Sequence, residues 1–191
     1  MKSPATFGDY FMSHGINAVM VPLHVGEKDF LTVLGGLRAV KNFAGAIVTI
    51  PHKYQAYQAA HTRGAMALRT GTANVLAPIG KDRWSAEMLD GVGLVQALRK
   101  RGISIRGLRT LLIGAGGAGT AIAVALEQLG QVASISIAEP DGTRARHLLA
   151  KLERAELGGA DPAGYQLVVN ASPVGMGSDE SPVDASRIAA G

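Results

Sequence analysis

An α/β fold in two parts, the second of Rossmann type, is what the sequence predicts, and three features predict it. Short runs rich in Val and Ile alternate with helical patterns along the first hundred residues, the βα alternation of a largely parallel sheet. The composition changes near residues 98–109, where five of the eleven residues of RKRGISIRGLR are basic. The stretch that follows, RTLLIGAGGAGTAIAVALEQLGQVASISIAEPD, reads as strand, glycine turn, helix, strand and acid in one sweep.

Taken in order, Ser3 and Pro4 mark a helix start, because a serine hydroxyl caps free amides and proline suits the first helical position. That helix is expected over residues 4–13, ending at Gly15. NAVMVPL (17–23) reads as a strand, EKDFLTVLGGLRAV (27–40) as a helix, GAIVTI (45–50) and ANVLAPI (73–79) as strands, and GVGLVQALRKR (91–101) as a helix. Beyond the basic connector, TLLI (110–113) is a strand, TAIAVALEQL (120–129) a helix and VASISIA (132–138) a strand. Trp84 is expected in the core.

Composition removes several function classes. With 47% hydrophobic and 18% charged residues, the 191-residue chain can bury a sizeable core. No window approaches the roughly 18 to 20 apolar residues of a membrane span, and MKSPATFGDYF lacks the apolar centre of a secretion signal, so a soluble cytoplasmic protein is expected. Without cysteine there are no disulfides or thiolate metal ligands. His14, His24, His52, His61 and His147 show no metal-ligand spacing, so no metal is expected, although His52 adjoins Lys53 and is expected to line a cleft if any histidine does. No G-x-S-x-G elbow is present for a serine nucleophile. The net charge of +4 is mild, and the basic connector has no interleaved aromatics for base stacking. It reads as a solvated helix end, and neither nucleic acid nor a membrane is an expected partner.

The glycine turn carries the most specific signal. GAGGAG places Gly114, Gly116 and Gly119 in G-x-G-x-x-G spacing, with Gly117 and Ala118 between them, after a strand and at the start of a helix. Gly114 permits the tight turn, Gly116 lets backbone approach a pyrophosphate, and Gly119 allows the helix to pack close to the sheet. The amides at the helix start favour the dinucleotide's negative charge. No lysine follows, which excludes a phosphate loop of the nucleotide-hydrolysing type. Glu139 falls 25 residues after Gly114, close to where a carboxylate binds the adenosine ribose diol, and Asp141 adds a second negative charge. NAD is therefore expected as the cofactor, with NADP possible because Arg144 and Arg146 lie within reach of a 2′-phosphate.

In VTIPHK, an apolar strand runs through Pro51 into His52 and Lys53. A lysine just beyond a strand's carboxyl end can point into the crevice where open α/β sheets bind ligands. Its candidate partner is Asp90, in MLDGVG, just before a helix. A Lys and Asp pair can share a proton across a substrate hydroxyl as hydride moves between the carbinol carbon and a nicotinamide. Spacing alone favours reading Asp90 as a helix cap and Lys53 as a surface lysine over reading them as a pair.

KSP, VTIPHK, GTANVL, LDGVG, GAGGAG and NASPVGM occur in the order, and with roughly the separations, seen in the shikimate dehydrogenase family, which the chain resembles from Lys2 to Met176. The resemblance implies a substrate-binding domain over residues 1–98, a truncated Rossmann-like NAD(P)-binding domain over residues 99–191, and a cleft between them. It implies reversible oxidation of a ring hydroxyl of shikimate, quinate or a related cyclitol carboxylate, and for the biosynthetic members a place in aromatic amino acid formation. Lys53 and Asp90 take the catalytic positions, and Ser3, Thr49 and Asn74 the substrate-binding ones. Asn170, Ala171 and Ser172 pass beneath the nicotinamide half of the cofactor.

The departures are specific. Met1 stands where the family usually has a second serine, Ile47 where it has an asparagine, and Met88 and Leu89 replace two polar residues of NTDG. These changes point to a drier pocket and a less hydroxylated or amino-substituted relative of shikimate. The family's arginine-bearing NRT is replaced by EPD, pointing toward NAD. Its strand ahead of KSP and its segment beyond NASPVGM have no counterpart here, so an exposed sheet edge and association, with a homodimer as the default, are expected. The alternative is a degenerate homologue that binds a nucleotide as an interaction module.

Overall fold

The computed structural model describes residues 3–188. The Met1 position and Lys2 of KSP lie outside them. The first helix, α1 (Ser3–Ser13), forms as the Ser-Pro start predicts and is followed by Gly15 at φ +63°. Residues 17–23, expected as a strand, are not one. A strand needs a hydrogen-bonding neighbour and these residues have none among those described, leaving Val19 84% and Val21 65% exposed.

The first sheet contains β1 (Ala46–Ile47), β2 (Thr62–Arg63), β3 (Val75–Ile79) and β4 (Arg83–Glu87), in the order β1-β3-β4-β2. The expectation of a largely parallel sheet fails here. β3 pairs antiparallel with both β1 and β4, and only β2 and β4 are parallel. Gly80, at φ +65°, closes the tight turn that makes β3 and β4 a hairpin. Helices α2 (Phe30–Leu37), α3 (Lys53–Ala59) and α4 (Ala65–Thr70) flank this sheet. Phe30, Leu34, Val48, Ala56, Leu76 and the 2% exposed Trp84 form its core.

The second sheet is parallel throughout. It contains β5 (Arg109–Ile113), β6 (Ser134–Ala138), β7 (Ala155–Leu157) and β8 (Leu167–Asn170), in the order β7-β6-β5-β8. The chain moves outward from β5 to β7 and then returns to the other side of β5. That reversal places a topological switch point between the carboxyl ends of β5 and β8, where open sheets bind ligands. Helices α6 (Gly117–Ala125) and α7 (Gly142–Leu149) make the crossovers.

Helix α5 (Asp90–Lys100) joins the two parts. Its Val95 enters the second core with Leu112, Leu126 and Ile135. A smaller cluster of Ala67, Met88 and Ala121 draws on both halves. No described helix is long and apolar enough to cross a membrane.

Candidate active site

Lys53 does not extend from a strand, as VTIPHK suggested. β1 stops at Ile47, Val48 adds one further hydrogen bond to the Asn74 carbonyl at 2.7 Å, and a turn containing the cis Ile50–Pro51 peptide leads into α3, of which Lys53 is the first residue. A cation at a helix amino end faces the positive end of the peptide dipoles, so Lys53 needs a carboxylate partner. Asp90 supplies it. As the first residue of α5 its carboxylate lies at the favourable end of that helix, and Lys53 Nζ donates to Asp90 Oδ2 in an ion pair. The two side chains are 12% and 31% exposed, so the pair is reachable but largely shielded.

Asn74 completes the cluster. Its Nδ2 donates to Asp90 Oδ1 at 2.6 Å, and its Oδ1 accepts from the Leu89 amide at 2.8 Å. The helix-cap reading of Asp90 does not hold, since Leu89 occupies that position without a side-chain cap. Thr49 is exposed in the turn, its carbonyl accepting from the His52 amide at 2.9 Å. Ser3 is exposed at the start of α1 and makes none of the hydrogen bonds that join Lys53, Asp90 and Asn74.

His52 does not line the cleft. It is 9% exposed, stacks on Phe30 at 4.7 Å between ring centroids, and places Nε2 3.0 Å from the Val25 carbonyl and Nδ1 3.1 Å from Gln55 Oε1. Met88 also turns inward and is fully buried, so it does not dry the pocket by lining it, whereas Leu89 is 44% exposed.

The glycine turn has the geometry its spacing requires. Gly114 has φ +94°, and a Cβ there would meet the Ser172 amide nitrogen at 2.9 Å and the Ala171 backbone at about 3 Å. A Cβ on Gly119 would lie 2.0 Å from the Gly114 carbonyl oxygen, which fixes close contact between helix and turn. Gly116 is exposed with nothing near its missing side chain, and no side chain caps α6, so its first-turn amides, including those of Gly117 and Ala118, suit an anionic group. At the end of β8, Asn170 Oδ1 accepts from the Ser172 amide and hydroxyl at 2.9 and 2.7 Å, and the Ala171 amide donates to Ile113 at 2.8 Å. The loop is thereby held against the turn at the switch point.

Glu139 reaches that turn as well. Its Oε2 accepts from the Ala115 amide at 2.8 Å and its Oε1 from the Asp141 amide at 2.9 Å. Asp141 has a local structural role. It caps α7, accepting from the Thr143 and Arg144 amides at 2.9 and 3.1 Å, and these backbone hydrogen bonds, that from Arg144 foremost, hold its carboxyl below the ordinary value. Arg144 is itself ion-paired to Asp141 at 3.4 Å.

The two halves meet at Lys53, whose Cδ lies 3.8 Å from where a Gly117 side chain would begin. The Lys53 and Asp90 ion pair therefore sits beside the uncapped start of α6. Sequence reasoning did not single out Gly91, which brings α5 against α6 and so aligns Asp90 with the turn. The pair of glycines in LDGVG was the available signal. Among the described residues, no group of three or more His, Cys, Asp or Glu is placed to hold a metal.

The family described as the shikimate dehydrogenase substrate binding domain matches residues 1–76. The chain is 34% identical over 200 residues to the shikimate dehydrogenase (NADP(+)) of Acidiphilium cryptum, covering all of this chain and 69% of that protein. It is 34% identical over 188 residues to that of Stenotrophomonas maltophilia, covering 93% and 65%. A solved shikimate 5-dehydrogenase from Thermus thermophilus, in complex with NADP(H) and shikimate, superposes with a TM-score of 0.86 at 27% identity, over 97% of this chain and 69% of that one. One from Listeria monocytogenes, with shikimate and NAD, gives 0.77 at 26% identity over 92% and 65%. The chain thus spans about two thirds of the length of these relatives.

Proposed function

Because the chain belongs to the shikimate dehydrogenase family, we propose that it is an oxidoreductase acting on a ring hydroxyl of shikimate, quinate or a related cyclitol carboxylate, with a nicotinamide dinucleotide as cofactor. The observation that carries this reading is the Lys53 and Asp90 ion pair lying beside Gly117 at the start of the glycine-turn helix. The bound cofactor supplies the hydride acceptor or donor. The chain's own residues handle the rest. The Lys53 and Asp90 pair takes the hydroxyl proton during oxidation and returns it during reduction, with Asp90 holding the Lys53 Nζ in place. The exposed hydroxyls of Ser3 and Thr49 suit a ligand rich in hydroxyls and bearing a carboxylate. The amides at the start of α6 would hold the pyrophosphate, and the tied loop of Asn170, Ala171 and Ser172 would support the nicotinamide half.

We read the adenosine end as selective for NAD. The Glu139 carboxylate, fixed against Ala115, suits a ribose diol and repels a 2′-phosphate, and Arg144 is engaged by Asp141. The names of the two curated relatives carry NADP(+), so on this reading the present chain differs from them.

Initial rates with shikimate and quinate, using NAD and NADP, on wild type and Lys53→Ala test the reading, beside a binding assay for both cofactors. The expected result is turnover that falls by roughly 10²- to 10⁴-fold in the variant with cofactor binding retained. Cofactor binding by wild type without turnover of any cyclitol acid would overturn the proposed activity and favour a nucleotide-binding interaction module.

A further inference from the structure

Helix α6 meets the first half at both of its ends. Its start lies beside Lys53, and its far end widens into a π turn over Leu126–Gly130. Glu127 and Gln128 of that turn face Arg69, in the last turn of α4. A guanidinium only donates, so the carboxamide oxygen of Gln128 is the atom turned to it, accepting from Nε at 2.8 Å and from Nη2 at 3.0 Å. Arg69 Nη2 also donates to the Lys151 carbonyl at 3.5 Å and lies 3.9 Å from Glu127 Oε2. The Glu127 side chain is 7% exposed, and its other oxygen accepts from the Glu153 and Arg154 amides at 2.8 Å each. The π turn and the segment leading into β7 therefore converge on one guanidinium of the first half.

The packing beside it gives no such direction. The apolar seam between α4 and α6 consists of Ala67, Ala121 and Met88, with Met66 next to them. Alanine faces have little relief and apolar contact is non-directional, whereas the planar fork of an arginine fixes the angle of what it holds. The π turn lies roughly 16 Å along the helix from Gly117, so release at that end lets the second half rock against the first. We infer that Arg69 is a positioning residue for the reaction, latching the π turn to α4 and so fixing the glycine turn relative to Lys53 and Asp90. The effect on rate rests on the dehydrogenase reading, but the latch exists without ligand and is separately measurable.

The chain has no cysteine, so a pair of spin labels can be placed with two substitutions, Thr32→Cys on the exposed face of α2 and His147→Cys on that of α7. Double electron–electron resonance should give one narrow distance in this labelled parent and a broadened distribution once Arg69→Ala is added. The Arg69 side chain is 42% exposed, so the variant should remain folded, which thermal unfolding checks. Gln128→Ala removes the same contact from the other side. It should broaden the distribution as well, and combining the two substitutions should add little. A distribution as narrow in Arg69→Ala as in the parent would overturn the inference.

Kinetics with shikimate and quinate give the second readout. Misplacing reacting groups by about 1 Å costs up to ~10²-fold, so Arg69→Ala is expected to lower kcat by roughly 3- to 30-fold. KM for substrate and for cofactor should each change less than about threefold, because neither ligand's own contacts are touched. Arg69→Lys keeps the charge but not the fork and should be nearly as slow. A kcat like that of wild type in Arg69→Ala, or a raised KM with kcat kept, would overturn the inference. If wild type oxidises no cyclitol acid, the proposed activity fails, and the spin-label distances then decide separately whether Arg69 holds the two halves.

Discussion

Gly91, the second residue of α5, lies so close to α6 that a Cβ added to it would sit 2.1 Å from the Ala121 carbonyl oxygen and 2.7 Å from the Ala125 side chain. The two helices carry Asp90 and the glycine turn respectively, so this contact sets how far the Lys53 and Asp90 ion pair stands from that turn. Backbone cannot yield to a methyl group at 2.1 Å without moving the helices apart.

Gly91→Ala should therefore lower stability by roughly 1 to 3 kcal/mol through overpacking and reduce turnover as well. Gly93→Ala is the matched control, because nothing lies within 4 Å of its missing side chain. There the change should stabilise by about 0.5 to 1 kcal/mol through helix propensity. Thermal unfolding of the two variants should give shifts of opposite sign. A neutral Gly91→Ala would show that the helices are not tightly apposed.

Glu139 should control the choice of dinucleotide. Glu139→Gln retains an oxygen for the Ala115 amide but removes the charge that disfavours a 2′-phosphate. The ratio of NAD to NADP in kcat/KM should fall by about tenfold, the equivalent of ~1.4 kcal/mol. Steady-state kinetics with both cofactors measures it. An unchanged ratio, or a wild type that prefers NADP, would show that Glu139 does not read the ribose.

The part of the site built from local chemistry was legible in the sequence, and the part built across the fold was not. Gly114 and Gly119 were readable because each occupies a place where a side chain would strike backbone, and spacing in the motif encodes that directly. Asp90 and Lys53 are 37 residues apart. Their positions after a strand and before a helix offered Asp90 as a candidate partner, and the resemblance singled the pair out. In EPDGTR the two acids looked alike, and they separate only because α7 begins at Gly142, making Asp141 the cap and leaving Glu139 to reach Ala115. The parallel reading of the first sheet failed because RWSAE, which forms β4, carries too few Val and Ile residues to stand out. Pairing with β3 across the turn at Gly80 decides its structure.

Thr110 offers a route to a more stable protein. It lies fully buried in β5, and its hydroxyl finds no hydrogen-bond partner. An unsatisfied buried polar group costs about 1 to 3 kcal/mol, and valine has nearly the same shape. Thr110→Val should raise Tm by about 2 to 4 °C, corresponding to roughly 1 kcal/mol in a chain of this size. Calorimetry checks this, and a fall in Tm would mean that the hydroxyl is satisfied in solution.

Acid should release the contact between the loop at Asp161 and the turn at residues 185–187. Arg187 donates to both oxygens of Asp161, at 2.8 and 2.7 Å, and these side-chain hydrogen bonds are the first cause holding the Asp161 carboxyl below its ordinary value. Asp184 is likewise lowered, chiefly by the Ser186 hydroxyl and amide that it accepts as the cap of the turn. A carboxylate depressed in the folded state contributes fully above its unfolded value, about pH 4, and loses that contribution only as pH falls through the lower native value. The Arg187 Nε–H chemical shift, followed by NMR, should keep its paired value from neutral pH down to about pH 4 and move to the free value at more acid pH. Asp161→Asn should move it toward the free value at every pH, because the amide cannot replace both carboxylate oxygens as acceptors, whereas Asp184→Asn should leave it largely in place. A free value already near pH 6 in wild type would show that the carboxyl is not depressed and that the ion pair does not persist in solution.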